Sequence, residues 1–354
     1  MKKALFIPGL IASVFFLSGC GSGTDISSKP TVVDLMPKAT FLKTADSGIV
    51  WEPKMKVDDE KSIASINVLS VAVDPFDGDT VYLGSEKDGI FISWDGAETW
   101  SRIKFPEKVY GLVLDHLTKD VIYASGVYNG RGKIFKRIGE DGEWKEIYTE
   151  PADGTVISAL AMDKFDANVI YAATSEGVIF KTTDGGGTWN NLYKAEAPVT
   201  AIAFDSLNHG TVYFVALQRA LLKTTDGGVR MEDVTGNISG MDGNQKIFSV
   251  VADPRLSGSL YVGMGNGIAE STDGGNSWTN LNTLGSSRNF PIRVLTINPR
   301  NSNEIMYVSG KAIYKSIDGG MQWSTFQLDT SKDVSGMVYN KNNPSIIYAG
   351  LRNF

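Results

Sequence analysis

A β-branched or aliphatic residue followed by tyrosine recurs seven times in the 354-residue chain: Val81-Tyr82, Ile122-Tyr123, Ile170-Tyr171, Val212-Tyr213, Leu260-Tyr261, Met306-Tyr307 and Ile347-Tyr348. Successive tyrosines lie 41 to 48 residues apart. That period fits a four-stranded propeller blade and exceeds most solenoid repeats. Eight residues before each tyrosine, nine in one case, an Asp or Asn ends an alternating apolar run: Asp74, Asp115, Asp163, Asp205, Asp253, Asn298 and Asn340. The first repeat shows the plan, with alternating strands over 69–73, 81–84 and 89–93 and a turn over 74–79. The 38 glycines suit many short strands joined by turns, and a 42% hydrophobic content fills one large β core.

The third strand of this repeat runs into the most specific motif in the chain, Ser93-Trp94-Asp95-Gly96-Ala97-Glu98-Thr99-Trp100. Clear further copies surround Asp184, Asp273 and Asp318 and end at Trp189, Trp278 and Trp323. The copy over 224–231 keeps Asp226 and Gly228 but has Met231 in the Trp position, Asp141-Gly142-Glu143-Trp144 reads as a shortened copy, and 44–51 around Asp46 is a seventh. These segments resemble the Asp-box of bacterial neuraminidase repeats, Ser/Thr-x-Asp-x-Gly-x-Thr/Ser-Trp. The resemblance implies a hairpin turn between the third and fourth strands of each blade, on the outer rim. There the carboxylate and hydroxyl accept hydrogen bonds from turn amides, glycine supplies positive φ, and the Trp fills space between blades. Asp46, Asp95, Asp184, Asp226, Asp273 and Asp318 are accordingly expected to be structural, since a feature present in every blade serves the fold.

The last repeat has only its first two strands, 337–339 and 346–350, while the box at 44–51 has only a third and a fourth. Joining them makes one complete blade and removes the exposed edge that an open ring would leave. The expected architecture is all-β: a seven-bladed β-propeller of four-stranded blades over residues 41–354, one blade composite from the N- and C-terminal segments.

The N-terminus reads as a processing signal. Lys2 and Lys3 precede an apolar run over 4–16 that is too short for a stable bilayer span, and Leu17-Ser18-Gly19-Cys20 resembles the lipobox of bacterial lipoproteins. The expectation is a signal peptide over 1–19, lipidation of Cys20 and a polar lipidated tether over 20–40. Cys20 is the only cysteine, so no intrachain disulfide is possible. Several acyl chains at ~0.8 kcal/mol per buried CH₂ hold a protein on a lipid bilayer. A cell-envelope location follows, and Gly21 in place of Asp points by resemblance to the outer membrane if the host is Gram-negative.

A net charge of −6 with dispersed Lys and Arg argues against nucleic acid as a partner. The sequence shows no zinc-type ligand cluster, phosphate loop or nucleophile elbow, so no metal or cofactor is expected. The two histidines, His116 and His209, fall in turns on the Asp-box side of the ring. A site is expected on the opposite face, where the loops joining second to third strands and the blade-to-blade connections converge on the central channel. Five of ten arginines, Arg131, Arg219, Arg288, Arg293 and Arg352, fall in these loops, with Tyr128 beside them. Guanidinium groups there suit bidentate capture of carboxylates, although solvated surface arginines give the same count.

Over nearly the whole mature chain the pattern is similar to single-domain propellers of the photosystem II stability and assembly factor family, and more distantly to sortilin-type receptors. That resemblance implies a non-catalytic binding platform for an envelope protein or peptide, dependent on Arg219 and Arg352. A glycan-active enzyme is the alternative, dependent on loop carboxylates such as Glu86, Asp88 or Glu176. Against it, sialidases have six blades and a Phe-Arg-Ile-Pro segment, whereas 290–293 here reads Phe-Pro-Ile-Arg. Xyloglucanases of the Asp-box type face two propellers across a cleft, and this sequence carries the repeats of one.

Overall fold

The computed structural model describes residues 36–105, 108–238, 246–285 and 290–353. These residues form seven four-stranded antiparallel sheets. Blade 1 comprises Val68–Val73, Val81–Ser85, Ile90–Ser93 and Ser101–Ile103, and blades 2 to 6 repeat that order. First strands of successive blades lie against one another around the central channel, and blade 7 meets blade 1. Turns between first and second strands and between third and fourth strands share one face. The remaining connections share the other.

Blade 7 is composite, as expected: Asp333–Tyr339 and Ile347–Arg352 are followed in the sheet by Phe41–Thr44 and Glu52–Pro53. Phe41 pairs with Gly350 and Thr44 with Ile347. The closure is clasped by Lys332, whose buried Nζ donates to Thr40 Oγ1 at 2.7 Å and to the Ile66 carbonyl at 2.6 Å. Ala39 and Thr40, at the end of the expected tether, are fully buried in this clasp.

The recurrent residues explain themselves as turn caps within blades and contacts between them. Asp74 Oδ1 accepts from the amides of Phe76 and Asp77, and Asp205 and Asn340 cap their turns in the same way. The seven tyrosines are buried. From blade 2, the Tyr123 hydroxyl and Lys136 Nζ both donate to the Gly185 carbonyl in the box of blade 3, each at 3.2 Å. Tyr171 and Lys181 reach Gly227 likewise, Lys223 reaches Gly274, and Lys315 reaches Ser47 across the closure. Burial pushes the Tyr82 and Tyr171 hydroxyls up to about 12.

Inside each box the hydrogen bonds close on themselves. Ser93 Oγ donates to Asp95 Oδ1 and accepts from the Ala97 amide, and Asp95 accepts from both the amide and the hydroxyl of Thr99. Asp184 and Asp273 have the same ring of donors. Asp46, Asp226 and Asp318 accept from the Ser/Thr hydroxyl and the turn amides. Donation from Thr182 and Thr188 holds Asp184 down at about 2, and donation from Ser277 does the same for Asp273.

Blade 2 corrects the sequence reading. Lys136 pairs with Tyr123 as Lys181 pairs with Tyr171, and the step from that lysine to the Trp is eight residues in both blades. The segment ending at Trp144 is therefore not shortened. Arg137 stands where blade 3 has Thr182, and Gly139 where it has Asp184.

Candidate functional site at the loop-face channel mouth

In six blades the register of the first strand slips by one residue near the loop face, between Val68/Ser70, Val109/Gly111, Ile157/Ala159, Val199/Ala201, Ile247/Ser249 and Val334/Gly336. A bulge of this kind re-aims the extra side chain. The strands remain joined because Ser70, Ser158 and Ser249 donate to carbonyls at the same level of the next blade, those of Val109, Val199 and Ile292. The extra residue differs from blade to blade: Tyr110 in blade 2 and Phe248 in blade 5, for example. Arg293 occupies the corresponding place in blade 6, just before the strand Val294–Asn298.

Two of the expected arginines meet here. Arg352 ends the second strand of blade 7, opposite Asp333 in register. Burial and the neighbouring Arg293 guanidinium push Arg352 below the ordinary arginine range, while Glu86 and Tyr110 act in the other direction. Side chains from blades 1, 2, 6 and 7 thus share one electrostatic environment. Arg293 lies over the Phe248 ring at 5.0 Å and lines a hollow of about 240 Å³ with Phe290 and Asp333. Asp333 is also bridged by Lys311 at 2.7 Å. Guanidinium groups flanked by aromatic rings and partly withdrawn from water bind carboxylates more strongly than solvated ones do.

The other expected residues lie elsewhere on the same face. Arg131 and Tyr128 face each other across the blade 2 hairpin, where Arg131 pairs with exposed Asp153 at 2.6 Å and Lys133 sits over the Tyr128 ring. Arg219 pairs with Glu196 at 2.7 Å over a hollow of about 120 Å³. Glu86 accepts from Asn67 at 2.8 Å in blade 1, and Glu176 lies in the corresponding loop of blade 3. Asp88 follows in the loop of Glu86, with its carbonyl accepting from Arg102. Arg288 and Cys20 lie outside the described residues.

Sequence reasoning missed Tyr110 and Phe248. The available signal was their place five residues before a capping Asp or Asn. It also missed the opposite channel mouth, a hollow of about 350 Å³ lined by His116, Lys164, Lys341 and Tyr339. Burial there lowers the Lys164 ammonium below the usual lysine range, nearby Asp205 and Asp163 oppose that shift, and Lys341 adds to it.

Ring, boxes and channel together define the class: the chain is an Asp-box seven-bladed β-propeller. Residues 192–346 match the family model described as "Photosynthesis system II assembly factor YCF48", and the chain is similar to that family. Among solved structures, YCF48 from Cyanidioschyzon merolae superposes with a TM-score of 0.63 at 13% identity, covering 80% of this chain and 95% of that one. YCF48 bound to D1 peptide gives 0.62 at 16%, covering 85% and 98%. The GH74 xyloglucanase from Xanthomonas campestris gives 0.67 at 13%, covering 81% of this chain and 51% of that one. At these identities the likeness is one of fold. In sequence, xyloglucanase Xgh74A of Acetivibrio thermocellus is 28% identical over 136 residues, which is 32% of this chain and 16% of that enzyme. The chain thus matches a small part of the curated relative and about half the length of the solved xyloglucanase.

Proposed function

We propose that this protein is a non-catalytic binding propeller of the cell envelope, tethered to a lipid bilayer through acylated Cys20, that receives a carboxylate-bearing protein or peptide segment at the loop-face channel mouth. The observation that carries the reading is the convergence of Arg293 and half-buried Arg352 beside Phe248 and Tyr110. A guanidinium partly out of water favours an ionised acceptor, and adjacent rings take apolar side chains. The likeness to a peptide-bound assembly factor supports a peptide partner over a glycan. Arg131 and Arg219 fall at the periphery of the contact. With a Gram-negative host the anchor lies in the outer membrane.

The test is capture of partners by the full-length lipidated chain from envelopes of its own host, comparing wild type with an Arg293→Ala, Arg352→Ala double variant of equal melting temperature. A stoichiometric protein partner lost from the variant supports the reading. A partner retained in full refutes the arginine site. Hydrolysis of a glycan that is abolished by Glu86→Gln would replace the reading with the enzyme alternative.

A further inference from the structure

We infer that the side wall of blade 2 carries a second ligand site, separate from the loop-face mouth and built for a neutral saccharide. Replacement of the Asp-box there leaves a groove of about 710 Å³ lined by Phe105, Tyr128, Arg137, Glu140, Glu143 and Trp144. That volume lies in the range of small-ligand clefts, roughly 300–1,000 Å³.

Arg137 is the unusual member. It takes the position of a small box hydroxyl yet is only 5% exposed. Its Nε has no hydrogen-bond partner, nor has the buried indole Nε1 of Trp144 in the same groove. Among the described residues no carboxylate lies within ion-pair distance of its guanidinium. The guanidinium sits 5.7 Å from the centre of the Trp144 ring, and Phe105 meets that ring edge-on at 4.7 Å. Stacking orients the cation but leaves its N–H without an acceptor, and a buried unpaired donor forfeits its hydration.

Charge selects the ligand. Glu140, Asp141, Glu143 and Glu146 border the groove and repel an anion, while Lys104 at its border and Arg137 at its base oppose a cation. A neutral polyhydroxylated ring meets both conditions. Its oxygens accept from Arg137 and Trp144, its O–H groups donate to the bordering carboxylates, and its C–H face lies on the aromatic floor. Blade 3 shares an unpaired indole N–H at Trp189 but offers no counterpart to Arg137, because Thr182 and Asp184 satisfy each other there.

The test is calorimetric titration of the full-length chain with neutral cello-, xylo-, malto- and chito-tetraose, with a lysine–leucine tetrapeptide as the competing class. At least one saccharide is expected to bind. Arg137→Met is expected to weaken it roughly tenfold, the worth of one charge-assisted hydrogen bond. Trp144→Phe, which keeps a ring but removes the N–H, is expected to weaken it by less, and Arg352→Ala to leave it unchanged. No saccharide heat up to about 10 mM, far above useful affinity, overturns the proposal. Equal affinity in Arg137→Met also overturns it, as does binding of the peptide alone. If Arg137→Met does not fold, unchanged affinity in Trp144→Phe has the same force.

Discussion

The two faces of the ring are built on opposite principles. On the Asp-box face the same contact recurs: a tyrosine or lysine from one blade donates to a box carbonyl of the next, at Gly185, Gly227, Gly274 and Ser47. On the loop face the corresponding positions vary, from Leu69 and Tyr110 to Phe248 and Arg293, with serine alone occurring twice, at Ser158 and Ser335. Repetition marks what holds the ring, and variation marks where a partner can be told apart from others. Blade 2 sharpens the point, since the one blade that gives up its box gains a groove.

The comparison breaks most visibly at the closure. Trp100 is 1% exposed, lies edge-on to Phe41 at 4.8 Å and donates its indole N–H to Lys54, so it joins the blade 1 box to the N-terminal strands. Trp100→Ala is expected to cost about 3–5 kcal/mol, measured by denaturant unfolding. Acid comes next. Asp184 and Asp273 are lowered from 3.8 to about 2 in the folded state, so the unfolded chain takes up protons first. Their stabilisation is present above pH 3.8 and is lost as pH falls towards about 2, and the melting temperature should drop through that window. A smaller effect is expected for Lys223→Met, which removes the 2.7 Å bond to Gly274: about 0.5–1.5 kcal/mol. Smallest of all, Arg219→Ala should leave both melting temperature and partner capture unchanged, its ion pair with Glu196 being solvent-exposed.

Blade number, the composite blade and the box positions were legible because each depends on residues at fixed offsets from a buried tyrosine. The lysine contacts were periodic too, at Lys136, Lys181 and Lys223, but a lysine in the third strand reads as solvated until the neighbouring blade is in place. The mouth was only partly legible. Arg293 and Arg352 are far apart in sequence and meet through the packing of blade 6 on blade 7, while Tyr110 and Phe248 are turned by a one-residue slip that alternation does not encode. Blade 2 misled because Asp141 imitates a box carboxylate two positions late, whereas Gly139 holds the true position.

The most direct test of the central claim places a photo-crosslinking amino acid at one channel mouth or the other, at Tyr110 on the loop face or at Lys341 on the Asp-box face, and irradiates the full-length chain in cells of its own host. The account expects an adduct with a protein or peptide partner from position 110 that disappears in the Arg293→Ala, Arg352→Ala background, and none from position 341. An adduct from position 341 alone, or one from position 110 that is indifferent to both arginines, would contradict it.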